Sequence, residues 1–331
     1  MSAAIAQSKV KDQRGTAPTP GIIVITGPTA VGKTDLAIEL ARRFPVCLIS
    51  VDSGQVYREL DIGTAKPNRE ILREFPHAMI NLRSVREPYS VAEFCCSASQ
   101  VIRKSIAEGQ IPLLVGGTMF YLSSLLNGLG NLPPADDKLR QALLRRGQDN
   151  GWEAMYESLN AVDPQAAARI DPHDRQRVQR ALEINLLTGQ PINANTRQRT
   201  FLPEGVRVCR LVAAMTNRET LHLRIAERFD RMIDCGLIEE VRTLMNDPTV
   251  EEGFPAMKSI GYRQVWQYLD GRTDRSAMRD RAIAASRQLA KRQLTWLRNT
   301  SGNVWLDAAQ QDLLDTVVRY LYQIVPQFRA V

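Results

Sequence analysis

The chain has 331 residues, 44% of them hydrophobic, and a net charge of +7. That is enough apolar content for a large α/β domain with an elaboration, or for two domains, and the positive balance suits an anionic partner. Five cysteines (Cys47, Cys95, Cys96, Cys209, Cys235) without C-x-x-C spacing and three scattered histidines (His77, His173, His222) argue against a disulfide framework, a zinc site or a histidine metal centre, and no run reads as a signal peptide or membrane span.

Residues 1–20 mix small, polar and basic types and read as a flexible tail. Ile22–Ile25 then has the continuous apolar character of a buried parallel strand, and Asp35–Ala41 reads as a helix. Between them lies Gly27-Pro28-Thr29-Ala30-Val31-Gly32-Lys33-Thr34, the G-x-x-x-x-G-K-T pattern in its strand–loop–helix setting. Glycines there let backbone N–H groups turn around anionic oxygens. Lys33 brings a mobile positive charge, Thr34 offers a hydroxyl to Mg²⁺, and the helix start points its positive end at the ligand. The stretch reads as a phosphate or pyrophosphate site.

Val46–Val51 is a second strand, ending in Asp52-Ser53-Gly54-Gln55-Val56-Tyr57. Carboxyl ends of neighbouring strands meet beside the ligand crevice of a doubly wound sheet, so Asp52 is expected close to Lys33. Asp61-Ile62-Gly63-Thr64-Ala65-Lys66-Pro67 reads as a loop on the same rim, Val91–Ala107 as a helix, Ile111–Val115 as a strand closed by Gly116-Gly117-Thr118, and Met119–Leu126 as a helix. This β-α alternation predicts a P-loop-like parallel sheet with helices on both faces. Leu132–Asp137 breaks the pattern. Residues 131–199 read as an all-helical insertion without a strand, carrying the basic run Arg175–Arg180. Val206–Ala213 resumes strand character, so the core is expected over 21–130 and 200–325. Leu221–Ile233 is a helix bearing Arg224, Arg228 and Arg231. Residues 272–298 hold eight basic side chains against two acidic ones, Val304–Leu306 suits an edge strand, and a last amphipathic helix runs to about Tyr322.

A P-loop protein that consumes ATP usually carries a further strand ending in an acid that holds Mg²⁺. Leu113-Leu114-Val115 instead runs into Gly-Gly-Thr, and the notable strand-end acid is Asp52. Such an acid either orients Mg²⁺ through water or acts as a base towards a second substrate. The residue pattern leaves both open.

Taken together, Gly27–Thr34, Asp52–Tyr57, Asp61–Pro67 and Val115–Thr118 closely resemble the tRNA dimethylallyltransferase (tRNA isopentenyltransferase) family. So do the later Gln176-Arg177-Val178-Gln179-Arg180-Ala181-Leu182-Glu183, Ile260–Gln264 and Lys291-Arg292-Gln293-Leu294-Thr295-Trp296-Leu297-Arg298. The likeness runs in order from Ile22 to Arg298. It is to the bacterial form, without the C-terminal zinc finger of eukaryotic members. The resemblance implies transfer of a dimethylallyl group from its diphosphate to N6 of the adenosine immediately 3′ of the anticodon (adenosine 37), in tRNAs reading codons that begin with U. It implies further that the P-loop holds an isoprenoid diphosphate. Asp52 is then the general base, with Thr29, Lys33, Thr118 and Arg228 around the diphosphate and reacting atoms, and Mg²⁺ near Thr34. For Thr118 the residues alone allow a helix N-cap as readily.

The resemblance also implies tRNA contacts from Asp52, Ser53, Gly54 and Gln55, from Thr118 and Arg140, from Gln176–Arg180, from Lys258-Ser259-Ile260-Gly261-Tyr262-Arg263, and from Lys291–Arg298. Gln55, Gln176 and Gln179 suit base edges; Arg177, Arg180, Lys291, Arg292 and Arg298 suit phosphates. Trp296 reads as core and not as a stacking platform. The expected partners are a tRNA anticodon stem-loop and dimethylallyl diphosphate, met by a cytoplasmic monomer away from membranes. Three alternatives remain: a prenyltransferase acting on free adenine nucleotide, a P-loop kinase of a small metabolite, and a nucleic-acid-binding module with a vestigial P-loop.

Overall fold

The computed structural model describes residues 21–130, 132–192 and 198–325; the tail expected over 1–20 lies outside them. The chain divides into two compact units, one of Leu126–Thr200 and one of the segments on either side of it.

The larger unit is built on a six-stranded sheet of β1 (Gly21–Thr26), β2 (Val46–Val51), β3 (His77–Ala78), β4 (Ile111–Gly116), β7 (Arg207–Ala214) and β8 (Asn303–Asp307). The spatial order is β3-β2-β4-β1-β7-β8, and every pairing is parallel. β1 is buried at all six positions, because its neighbours flank both edges and helices cover both faces. Ile23 pairs with Leu113 on one side and Cys209 on the other. On one face α1 (Lys33–Arg43) packs Leu36, Ala37 and Leu40 into a cluster with Ile23, Ile25, Leu113 and Leu211. α13 (Leu313–Ile324) adds Val317 and Leu321 to it. Each buried leucine, isoleucine or valine here contributes about 1.5–3 kcal/mol relative to exposure.

The connecting helices of this unit are α2 (Arg69–Glu74), α3 (Val91–Ala107), α4 (Met119–Asn127), α9 (Arg218–Asp234), α10 (Leu237–Met245), α11 (Tyr262–Leu269) and α12 (Arg275–Arg298). A capping box of Ser90 and Glu93 starts α3. A second cluster joins Leu221, Ile225 and Phe229 of α9 to Val265 of α11 and Met278, Ala282 and Ala290 of α12. The forked ion pair of Arg279 with Asp230 (2.6 and 2.7 Å) ties α12 to α9 beside that cluster. Among the described residues no helix is long and apolar enough to cross a membrane.

Two elements of this unit carry no sequence signal. α2 buries none of its residues, so it has no apolar period to read, and its start is set by the Asn68 cap on Ile71 N–H. β3 is only two residues long.

The smaller unit packs α5 (Asp137–Asn150), α6 (Trp152–Val162), α7 (Pro164–Ala167) and α8 (Arg175–Thr188) around Leu143, Met155, Leu159, Val178 and Leu182. It also holds an antiparallel ladder of β5 (Leu129–Gly130) with β6 (Gln198–Arg199), where no strand is expected from the sequence. Two residues per strand are too few to show an alternation. At its centre Glu183, wholly buried, accepts from Arg140 Nε at 3.1 Å, Arg180 Nη1 at 2.7 Å and Asp136 N at 2.8 Å. Burial alone would push its carboxyl up; the Arg180 bond, the Asp136 amide and Arg140 outweigh that and hold it below the ordinary glutamate range.

Glu183→Ala should destabilise the smaller unit by about 2–3 kcal/mol, read by native-state hydrogen exchange across α5, α6 and α8. That is less than for a fully buried pair, because both arginines stay partly solvated. The stabilisation from Glu183 is present above the unfolded pKa and is lost as pH falls through its lower folded value. The variant's deficit should therefore shrink in acid.

Candidate active site

Parallel order brings the carboxyl ends of β2, β4, β1 and β7 side by side. The turns leaving the first three carry Asp52, Gly117-Thr118 and the P-loop. The P-loop backbone is pressed against β7: a Cβ on Gly27 would lie 2.0 Å from Ala213 O, and φ there is +147°, so only glycine fits. Gly32 (φ +87°) opens α1 with no side-chain cap, which leaves the first-turn N–H groups for an anion.

Lys33 Nζ donates to Gly27 O at 3.1 Å and Pro28 O at 2.7 Å, folded back over its own loop. Burial, and then the Arg228 guanidinium, lower its pKa to about 7 against the opposing pull of Asp52. Arg228 feels the same field. Burial lowers its pKa, Asp52 raises it and Arg231 lowers it. Arg224, Arg228 and Arg231 fall on one side of α9 by their spacing, and all three line the cavity. Asp52, expected near Lys33 from its strand end, lines the same cavity as Lys33 and Arg228 and its charge acts on both. Its Oδ1 accepts from Gly54 N at 2.8 Å and Gln55 N at 3.3 Å, which holds the turn. Its other oxygen has no hydrogen bond among the described residues.

These groups line one cavity of about 1690 Å³. Its walls come from residues 29–35, 52–55, 61–69 and 115–120, the α9 arginines, Lys258–Ile260, and Arg292, Gln293 and Trp296. Trp296 is 42% exposed on that wall, which overturns its expected place in the core; Leu297, one residue on, takes the buried position. Thr118 does not spend its hydroxyl on a helix cap: it accepts from Ser53 N at 3.0 Å, tying the strand-end turns together.

Several residues expected at the RNA contact are committed inside the fold. Gln55 is buried, accepting from Ser50 Oγ at 2.8 Å, with its Nε2 towards the carbonyls of Thr64 and Ala65. Tyr262 is fully buried and donates to Glu240 at 2.5 Å; Gly261 is buried beside it. Gln293 is buried, bonded to Thr29 N and Gly117 O. In the smaller unit Val178 is core, Gln179 Nε2 donates to Arg140 O, and Arg140 and Arg180 hold Glu183. Gln176, Arg177, Lys258, Arg263, Lys291, Arg292, Thr295 and Arg298 are exposed, while Ser259, Ile260 and Leu294 are half-buried. One group had no signal in the sequence. The Glu240 carboxylate accepts from Asp61 N, Ile62 N and Gly63 N, and so fixes the cavity's 61–67 wall from a helix some 180 residues away.

The IPP transferase family model matches residues 55–300. The chain belongs to the IPP transferase family. Curated relatives agree. A protein of Alkalilimnicola ehrlichii is 49% identical over 92% of this chain and 96% of its own length, and one of Coxiella burnetii is 47% identical over 91% and 97%; both are named tRNA dimethylallyltransferase. Among solved structures, a tRNA isopentenylpyrophosphate transferase of Bacillus halodurans superposes with TM-score 0.66 at 35% identity, over 94% of this chain and 97% of that one. A eukaryotic dimethylallyltransferase described as acting on tRNA reaches TM-score 0.76 at 28% identity, over 92% and 78%. The P-loop-like parallel sheet is therefore the fold of this IPP transferase.

A lysine with a pKa of about 7 is mostly neutral at pH 8, and a bound polyanion restores its ammonium. Pyrophosphate binding at pH 8 should therefore bring an uptake of about 0.9 proton at Lys33, read by calorimetry in buffers of different ionisation heat. Uptake should vanish in Lys33→Met and fade below pH 6, where the free lysine is already charged.

Proposed function

We propose that this protein transfers a dimethylallyl group from dimethylallyl diphosphate to N6 of the adenosine immediately 3′ of the anticodon, adenosine 37, in tRNAs reading codons that begin with U, releasing diphosphate. The observation that carries the reading is the single cavity shared by the Lys33 cradle, Arg228 and the Asp52 carboxylate. The curated relatives' name supports the reaction.

An allylic C1–O bond breaks readily once the charge on its leaving group is offset. Lys33, Arg228, Thr29 and the open amides of residues 30–34 supply that offset. The exocyclic amine of adenine is a weak nucleophile because its lone pair is delocalised into the ring. As the N6–C1 bond forms and the C1–O bond breaks, the N6 proton passes to the free oxygen of Asp52, and diphosphate departs towards the P-loop. Thr118 and Ser53 hold the Asp52 turn in place for this transfer.

A divalent metal suits this site only as an ion carried on the diphosphate. Among the described residues no group of three or more His, Cys, Asp or Glu could hold one, and the chain offers the Thr34 hydroxyl at the start of α1. When bound there, Mg²⁺ supplies further neutralisation of the leaving group.

On the RNA side the target base leaves its stack to reach the cavity. Lys291, Arg292 and Arg298 are exposed on α12, and their side chains make no hydrogen bond or ion pair among the described residues, which suits phosphate binding. The half-exposed Trp296 offers an aromatic face beside them. We place the protein in the cytoplasm, working as a monomer.

Incubating the protein with labelled dimethylallyl diphosphate, Mg²⁺ and unmodified tRNA should put the label on N6 of adenosine 37, with an anticodon stem-loop also serving as acceptor. Labelling of AMP in preference to the stem-loop would defeat the reading. Asp52→Ala should lower kcat by at least about a hundredfold while pyrophosphate affinity changes little. The double reversal Lys291→Glu with Arg292→Glu should weaken stem-loop binding and flatten its log K against log salt slope by about 1.4–2; an unchanged slope would remove these residues from the RNA contact.

A further inference from the structure

Gln293 stands in the middle of the basic run on α12, yet its side chain turns away from solvent and is 6% exposed. Both ends of its amide are used. Oε1 accepts from Thr29 N of the P-loop at 3.0 Å, and Nε2 donates to Gly117 O at 2.7 Å. Gly117 is shaped to admit it, since a Cβ there would lie 2.5 Å from Nε2. A buried amide satisfied at both ends costs little, whereas losing one partner leaves a desolvated polar group.

The two bonded backbones belong to opposite partners of the reaction. Thr29 is part of the diphosphate cradle, whose next residues reach Lys33. Gly117 leads into Thr118, whose hydroxyl accepts from Ser53 N, next to Asp52. One side chain therefore closes a path from cradle to carboxylate: P-loop, Gln293, Gly117-Thr118, Ser53-Asp52. It does so from the helix whose neighbouring Lys291 and Arg292 are exposed.

We propose that Gln293 is a positioning residue that sets the spacing between the diphosphate cradle and the Asp52 carboxylate, and not an RNA contact. The proposal rests on the transfer reaction assigned above. Spacing of reacting groups matters most in the transition state, where a misplacement of about 1 Å can cost about a hundredfold. Loss of the strut therefore falls on kcat and spares ground-state binding.

The test is Gln293→Leu, of similar volume and without either bond, measured two ways. Steady-state kinetics with dimethylallyl diphosphate and an anticodon stem-loop should show kcat lowered by about ten- to a hundredfold, with both KM values within about threefold of wild type. Hydrogen exchange, which needs no reaction, should show faster exchange in both 27–34 and 116–118. An unchanged kcat, unchanged exchange in either loop, or a rise in KM for RNA alone would overturn the proposal, the last by making Gln293 an RNA contact after all. If Gln293→Leu does not fold, Gln293→Glu keeps the acceptor for Thr29 N–H, loses the donor to Gly117 and is read the same way. If wild-type protein turns over no prenyl diphosphate, the assigned reaction falls, and the exchange comparison alone decides the strut.

Discussion

The larger unit gathers two cations, Lys33 and Arg228, and the Asp52 carboxylate, all half-buried, on the wall of one cavity. Lys33 answers the strain by giving up part of its charge and turning its amine onto the carbonyls of Gly27 and Pro28. Arg228 has no such escape and leans on Asp52. Positive charge thus exceeds negative on this stretch of the wall. In the transfer reaction proposed above, that excess would stabilise the negative charge that builds on the leaving group.

The scaffold that imposes this is the parallel sheet. Its central strands are buried on both faces, so they must be apolar throughout and their polar business is deferred to their ends. That is why the fold is legible in the sequence. Ile22–Ile25 is an uninterrupted apolar run, Val46–Val51 and Ile111–Val115 are each broken at one position, and Val206–Ala213 stays strand-like despite Arg207 and Arg210; the strand-end rule alone puts Asp52 beside Lys33. Arg228 is different. Nothing in its helix distinguishes it from Arg224 or Arg231, and only the family likeness singled it out before the structure set it beside Asp52.

What remained illegible is which polar side chains face inward. Gln55, Tyr262 and Gln293 lie in polar or basic stretches, and charge patterning cannot tell a solvated amide from a buried strut. Each is satisfied by a backbone group at long range, 9 to 10 residues away for the Gln55 amide nitrogen, 199 for the Tyr262 hydroxyl and 264 for one end of Gln293. Trp296 failed in the opposite sense. It reads as core, but the buried positions of α12 near it are Gln293 and Leu297, so the helical phase turns the indole to the cavity.

The Glu240 anchor has a consequence for the nascent polypeptide. Three successive amides of Asp61, Ile62 and Gly63 wait for a carboxylate made about 180 residues later, and Tyr262 must then slide its ring over Gly63, which has no room for even a methyl group. β7, against which Gly27 is pressed, also follows the whole smaller unit in order of synthesis. A ribosome that has delivered every residue of the P-loop motif has therefore not yet delivered a finished pocket. Once residues 21–116 are made, β1 to β4 can pair, but the edge of β1 that takes β7 is still open, and the cavity forms only when β7 and the later helices arrive to close it.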